Sequence, residues 1–502
     1  MDKISILQLG TEDWNRKYIL PDYVSLVSCA DPVAEVPKQA FDLVFLDRTP
    51  AREEIGILFQ ITKAHTLFVT EHIVLLGEAE RLYHCKKGQR IAAGEIQNFL
   101  SREARFYYPK GYGEKFDHQN LTISSGFCGS VKWNGNYNVV LNGDYGTGFR
   151  QIACWRNTIP IDPGQVIDLW LEYRRDPGVS VRMTVTQFAV GSFSGITSRL
   201  EFDEKELDHV IRIENNHMKS NIFVSLHAKG SGELRIIALH DRYSRGDHGY
   251  FLPGGERYVT SAREEIFCYF DPGDRKPPLN VYFAGYKTQQ NFEGYNIMRR
   301  MGCPFLLLSE PRLQGGCVYE GTDEYEQLVT DMIKKHIDEL GFQENQVILS
   351  GISGGSHGAL KYGCAIRPHT LILGKPVANM GYVAANEKHL RSGGFPPALD
   401  MLLYLKGDTD EQAVAALNDR FWKKFDATDW SRSEFIVAYM LEDDYDPNAY
   451  EQLISHLQSE GVQVYGKGIH GRHNDNTGAI VSWFLSQFER VLREDFGRRM
   501  KK

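Results

Sequence analysis

Apolar and polar positions alternate along this chain in two rhythms, and the rhythm changes twice. At the start, short apolar runs at Ile4–Leu9, Val24–Cys29, Asp42–Leu46 and Leu67–Val69 are separated by polar stretches, and Pro50–Thr62 carries its apolar residues at helical spacing. Short strands alternating with helices predict an α/β unit on a parallel sheet, of Rossmann-like type. The first run ends in Gly10-Thr11-Glu12 with no GxGxxG turn, so no dinucleotide site is expected there.

Further on, the runs become strand-like and closely spaced: Val139–Leu141, Val166–Tyr173, Val179–Gln187, Val210–Ile213, Ile222–His227 and Leu234–His240. Turn-forming residues separate them, at Asn134-Gly135, Asn142-Gly143, Asp176-Pro177-Gly178 and Gly230-Ser231-Gly232. Many short strands at near-regular spacing predict an antiparallel β-sandwich. Trp133, Tyr137, Tyr145, Trp155 and Trp170 fall in this region. Aromatic faces on a sandwich can stack on sugar rings, but rings of this kind more often fill the core.

The alternation of strands and helices then returns. Leu279–Ala284, Phe305–Ser309, Val347–Ser350, Leu371–Leu373, Phe435–Met440 and Val462–Tyr465 read as strands. Tyr325, Leu328, Val329, Met332, Ile333, His336, Ile337 and Leu340 share one face of a helix over Asp323–Leu340, which Thr322 caps and Gly341 ends. Ala449–Glu460 and Gly478–Val491 are amphipathic as well. Three regions are therefore expected: an N-terminal α/β region over 1–115, a sandwich over 116–260 that is carbohydrate-module-like in its aromatics, and a second α/β domain over 261–502. The chain shows no internal repeat and no low-complexity stretch.

Composition narrows the class. A chain of 502 residues has room for several cores. Its 57 Lys and Arg against 65 Asp and Glu leave a net charge of −8, which argues against coating nucleic acid; no nucleic-acid partner is expected, while a local peripheral contact with a membrane is compatible with it. No apolar run approaches the roughly 20 residues of a spanning helix. Met1 to Trp14 lacks a basic segment leading into a long apolar one, so no signal peptide and a cytoplasmic location are expected. Cys29, Cys85, Cys128, Cys154, Cys268, Cys303, Cys317 and Cys364 are scattered without a CxxC pair. Such spacing suits buried thiols in a reducing compartment, with no metal site and no bound cofactor.

The segment that carries chemistry is Val347-Ile-Leu-Ser-Gly351-Ile-Ser353-Gly-Gly355-Ser-His-Gly-Ala-Leu: a strand, then G-x-S-x-G, then a helix. This is the pattern of the nucleophile elbow of α/β-hydrolases, so the domain over 261–502 is expected to be an α/β-hydrolase domain. Small residues are needed two positions either side of the serine, because side chains there would collide across the tight turn. The frame Gly354-Gly-Ser356-His-Gly358 also matches, but Ser356 falls one turn inside the helix, so Ser353 is the expected nucleophile. A serine needs a base, and in this fold the chain order is serine, acid, histidine. His456 lies in an amphipathic helix. His470 and His473 lie in the loop between the last strand and the last helix, and His473, nearer the helix, is the expected base. The acid should follow Phe435–Met440, where Leu441-Glu442-Asp443-Asp444-Tyr445-Asp446 offers four carboxylates; Asp443 is favoured, with Glu442 and Asp446 as alternatives that spacing does not separate. Gly354 N–H should face the oxyanion, joined by an N–H near Tyr286 or Lys287 after the strand Leu279–Ala284.

Three stretches together, Ser350-Gly-Ile-Ser-Gly-Gly-Ser-His-Gly-Ala-Leu, Ala438-Tyr-Met-Leu-Glu-Asp-Asp-Tyr-Asp and Gly471-Arg-His-Asn-Asp-Asn-Thr, resemble the second accessory secretory protein of the Gram-positive accessory Sec system. The three-region layout is similar along essentially the whole chain. The resemblance implies a cytoplasmic protein that works with the first and third accessory secretory proteins, glycosyltransferases and the accessory Sec motor ATPase. It implies that a Ser–acid–His triad, here Ser353, Asp443 and His473, O-acetylates N-acetylglucosamine on a glycosylated serine-rich-repeat adhesin, and that the protein also assists export without catalysis. An acetyl donor then serves as co-substrate; acetyl-CoA is the candidate, although no signature for it is visible. Gly354 and Gly355 stand where the resemblance leads one to expect a bulkier residue after the serine, which bears on how an acyl donor fits. Two alternatives share these residues: a carbohydrate esterase, and a non-catalytic adaptor that binds the adhesin and partner secretory proteins.

Overall fold

A computed structural model describes residues 3–31, 41–192, 195–216, 218–389, 394–458 and 461–498. The protein is a mixed α/β chain built on three sheets. The first sheet is parallel throughout, with Val24–Cys29, Ile4–Leu9, Leu43–Leu46, Leu67–Thr70 and Gln89–Ile91 side by side in that order. Its three central strands, Ile4–Leu9, Leu43–Leu46 and Leu67–Thr70, read as near-continuous apolar runs because both faces are covered. Leu7, Leu9, Val44 and Leu46 pack on one face, and Ile4, Ile6, Leu43 and Phe45 on the other.

The second sheet is one hydrogen-bonded network of ten strands around an apolar core. Two strands are far longer than the sequence pattern predicts, Asn138–Trp155 and Ser220–Tyr243. Asn142-Gly143 and Gly230-Ser231-Gly232, expected to be turns, lie inside them. At Gly230 and Gly232 the backbone takes φ of +92° and +132°, and the pairing with the neighbouring long strand shifts register there. The glycines thus kink a continuous strand rather than reverse it. Tyr137, Tyr145, Trp155 and Trp170 are buried in this region, whereas Trp133 is 48% exposed.

The third sheet has eight strands: Glu256–Val259, Glu265–Asp271, Phe305–Ser309, Leu279–Phe283, Val347–Ile352, Thr370–Gly374, Glu434–Met440 and Gln463–Ile469, in spatial order. Numbered along the chain, that order is 1-2-4-3-5-6-7-8, and only the second strand runs against the others. Gly113–Asp117 spans the boundary expected at 115, and Glu256–Val259, just before that expected at 260, pairs into this third sheet.

Helices Asp323–Leu340 and Gly354–Ile366 cover one face of the third sheet, and Tyr295–Met301 and Thr477–Glu494 the other. Thr322 caps the first of these through Tyr325 N–H, and Gly341 closes it in the left-handed conformation. Between Thr370–Gly374 and Glu434–Met440 the chain inserts Met380–His389, Ala398–Lys406 and Glu411–Asp426. Their apolar residues join Leu313, Val318 and Tyr445 and, from the region of the second sheet, Tyr137 and Ile237 in one cluster, so the insertion packs against loops at the edge of the third sheet and against the second sheet. No helix among the described residues is long and apolar enough to cross a membrane.

Candidate active site

Ser353 sits between the strand Val347–Ile352 and the helix Gly354–Ile366 with φ +56° and ψ −125°. A non-glycine residue rarely adopts such a backbone, and strain of this kind is stored where the surroundings enforce it. The flanking glycines show the enforcement. A Cβ on Gly351 would collide with the Gly355 backbone, and one on Gly355 with the Phe283 carbonyl of the adjacent strand. The turn therefore presses directly on its neighbours and lifts Ser353 Oγ clear of the sheet's C-terminal edge.

Above that edge, Ser353 Oγ lies 2.8 Å from His473 Nε2. His473 Nδ1 is 2.9 Å from Asp443 Oδ2 and 3.2 Å from Oδ1. Nδ1–H donating to the carboxylate leaves Nε2 free to accept from the serine, the tautomer a general base requires. Asp443 Oδ1 also accepts Tyr445 N–H at 2.8 Å and Asp446 N–H at 3.2 Å. Burial opposes the charge of Asp443, but His473 and these two N–H groups outweigh it and hold its pKa below the usual carboxylate value. His473 is 1% exposed.

The alternatives weighed from the sequence are placed elsewhere. Ser356 is buried and bonded, donating to Ser353 O and accepting Val377 N–H at 3.0 Å. His470 is largely exposed and pairs with Glu442, 3.0 Å from Nδ1 to Oε1, so this histidine and this acid occupy each other at the surface. Asp446 is buried and accepts the Ala378 and Asn379 N–H groups at 2.8 and 2.7 Å. His456 stacks on Trp422 and bonds Asp426.

Two N–H groups flank the space beside Ser353. Gly354 N–H is the first of its helix, where no intrahelical acceptor exists. Tyr286 lies in the loop after Leu279–Phe283, and a Cβ built on Gly354 would stand 3.9 Å from Tyr286 N. Among the described residues Tyr286 N–H donates no hydrogen bond. Lys287 N–H, the other candidate, is bonded to Gly315 O at 3.3 Å.

Several residues that hold the site were not legible beforehand. Tyr445 stacks flat on the His473 imidazole, centroids 4.2 Å apart and planes within 4°. Asp444 accepts His473 N–H at 3.1 Å. Lys375, at φ +50°, donates its ammonium to Asp475 O and Thr477 Oγ1, both at 2.9 Å, and so ties the histidine loop to the end of Thr370–Gly374. Burial pushes the Lys375 ammonium's pKa down. Their contacts are made across the chain by residues that carry no spacing pattern; only the position of Lys375 directly after a buried strand hinted at proximity to the site.

The comparisons with known proteins agree along the whole chain. The model of the Asp2 family, described as the accessory Sec system GspB-transporter, matches residues 4–498. Accessory Sec system protein Asp2 of Streptococcus gordonii is 35% identical over 510 residues, covering 99% of both chains. Its counterpart from Staphylococcus aureus is 34% identical over 512 residues, covering 99% of this chain and 98% of that one. A chain of the Glycosylation Associate Protein (Gap123) complex from Streptococcus agalactiae superposes with a TM-score of 0.88 at 32% identity, over 99% of this chain and all of that one. The chain belongs to the Asp2 family of the accessory Sec system.

Proposed function

We propose that this protein is a serine-dependent O-acetyltransferase of the α/β-hydrolase type, acting on N-acetylglucosamine of a serine-rich-repeat adhesin before its export. One observation carries the reading: Ser353, His473 and Asp443 form a continuous hydrogen-bonded chain at 2.8 and 2.9 Å on a strained elbow. The strand order supports it. In α/β-hydrolases the nucleophile, acid and base follow one another along the chain in that order, and here Ser353, Asp443 and His473 do so, after the fifth, seventh and eighth strands of the third sheet.

In the proposed cycle His473 Nε2 takes the Ser353 proton while Oγ attacks the carbonyl carbon of an acetyl donor, with acetyl-CoA the candidate. The tetrahedral oxyanion is met by the N–H groups of Gly354 and Tyr286. Collapse expels the donor's thiolate, which takes the proton from His473, and leaves acetyl-Ser353. A sugar hydroxyl then attacks this ester as His473 removes its proton, and the second collapse returns the proton to Ser353 Oγ. Asp443 keeps the imidazole in the required tautomer throughout. Family membership and the complex formed by the S. agalactiae relative support association with the first and third accessory secretory proteins. The adhesin and the motor ATPase are the remaining proposed partners.

The test is mass spectrometry of adhesin glycans after incubation with an acetyl donor and either the wild-type protein or Ser353→Ala. Acetyl groups added only by the wild type support transfer. Release of free acetate with unmodified glycans indicates an esterase, and equal acetyl content with both proteins removes the enzymatic reading.

A further inference from the structure

In the proposed cycle His473 becomes positively charged twice, once when it takes the Ser353 proton and once when it takes that of the sugar hydroxyl. Water has little access to that charge, because the side chain is 1% exposed. Both ring nitrogens are committed in the plane of the ring, Nε2 to Ser353 Oγ and Nδ1 to Asp443. A further stabilising group can therefore reach the imidazole only through one of its faces. Tyr445 covers one face: the ring centroids are 4.2 Å apart and the planes lie within 4°. An aromatic face carries the negative part of its quadrupole, so it attracts a cation placed over it, and more strongly where water is excluded.

Tyr445 is fixed there from its backbone, its tip and its edge. Its N–H donates to Asp443 Oδ1 at 2.8 Å, so the residue that stacks on the base also binds the acid. Its hydroxyl donates to Gly394 O, in the segment before the inserted helix Ala398–Lys406, and accepts from Asn474 Nδ2 at 3.4 Å. The Phe395 ring stands beside it, 6.3 Å away and tilted by 65°. The hydroxyl thus holds the ring in place, and the ring face is the part that meets the base. The charged groups nearest the imidazole are Asp443, Asp444, which accepts His473 N–H, and Lys375, whose ammonium binds Asp475 O and Thr477 Oγ1. A change of side chain at 445 leaves all three present, so the contribution of the ring can be read separately from theirs.

We propose that Tyr445 is a positioning residue that acts through His473, its ring face stabilising the imidazolium and so lowering the barrier of both half-reactions. This rests on the acyl-transfer reading and adds to it a group outside the triad whose interaction is strongest in the transition state. The test measures kcat and KM for hydrolysis of 4-nitrophenyl acetate by the full-length protein. Tyr445→Phe keeps the ring and is the reference. Tyr445→Leu, apolar but without a π face, should have a kcat about 5- to 30-fold below that reference. Its KM should stay within about twofold, because acylation and deacylation both pass through the imidazolium and slow together. Progressively fluorinated phenylalanines at 445 withdraw π density while keeping the ring's shape, so kcat should fall stepwise below Tyr445→Phe with thermal denaturation unchanged. A flat fluorine series in an active enzyme, or Tyr445→Leu as active as Tyr445→Phe, overturns the assignment and leaves the acyl-transfer reading intact. The fluorine series decides alone if Tyr445→Leu does not fold. Failure of wild type to turn over the ester, together with no labelling of Ser353 by a phosphonate, removes both.

Discussion

Replacing Asp443 with Asn is the sharpest perturbation of this site, because the structure dictates how the amide must sit. Asp443 Oδ1 accepts two backbone N–H groups, from Tyr445 at 2.8 Å and Asp446 at 3.2 Å, and Oδ2 faces His473 Nδ1 at 2.9 Å. An amide nitrogen cannot accept from N–H donors, so the Asn oxygen must keep the Oδ1 position. Its NH2 group then points at His473 Nδ1 and donates to it. The imidazole is forced into the tautomer with its proton on Nε2, facing Ser353 Oγ, and can no longer act as base. Loss of the base with the rest of the site intact costs about 10³- to 10⁴-fold in kcat, or about 4–5.5 kcal/mol of transition-state stabilisation. The assay is kcat and KM for acetyl transfer to adhesin glycan, with thermal denaturation confirming the fold. Asp446→Asn and Glu442→Gln are the comparisons: Asp446 serves the Ala378 and Asn379 N–H groups and Glu442 serves His470, so neither touches the base. A kcat within tenfold of wild type for Asp443→Asn, or a larger loss for either comparison, refutes the reasoning.

Ser356→Ala should lower stability by about 1–3 kcal/mol in urea denaturation, because it leaves Val377 N–H without its acceptor, yet keep ester turnover within about tenfold of wild type; a variant as inactive as Ser353→Ala would show that the wrong frame of the motif has been chosen. Asp443 also predicts a pH effect on stability: its folded pKa lies below the unfolded value of about 4, so its contribution is complete above that pH and is lost as pH falls through the lower folded value. The difference in urea midpoint between wild type and Asp443→Asn should therefore shrink from pH 6 to pH 3, and a difference that grows in acid contradicts the sign.

How much of this was legible depended on whether the determining contacts were local. The helix Asp323–Leu340 was read with both ends because its stripe, its Thr322 cap and its Gly341 stop all lie within a few residues of one another. The central strands of the third sheet were read because burial on both faces makes each a solid apolar run. The elbow was legible for the same reason: Gly351, Ser353 and Gly355 are fixed by collisions within one turn and with the adjacent strand. The second sheet was misread at Gly230-Ser231-Gly232, where the same residues serve a turn or a kink and only the pairing partner decides between them. The insertion between Thr370–Gly374 and Glu434–Met440 went unread, although Ala413, Leu417, Phe421 and Phe425 recur every four residues and mark Glu411–Asp426 as a helix.

The acid shows where sequence reasoning stops and why. Glu442, Asp443, Asp444 and Asp446 have the same chemistry and almost the same position, so nothing local ranks them. In the folded protein each has a separate role, and each role is assigned by a different partner distant in sequence. Glu442 turns outward to His470 and Gly471 N–H, Asp443 faces the His473 ring and Asp444 takes the His473 backbone N–H. Asp446 turns inward to the start of the inserted helices. The four carboxylates thus clamp one short loop to the histidine loop on one side and to the start of the insertion on the other. The histidine loop and the insertion are thereby coupled through the acid loop. Asp446 is thus held from the start of the insertion while its own N–H and that of Tyr445 hold Asp443 Oδ1, so the residue that anchors the acid loop to the inserted helices also helps orient the acid.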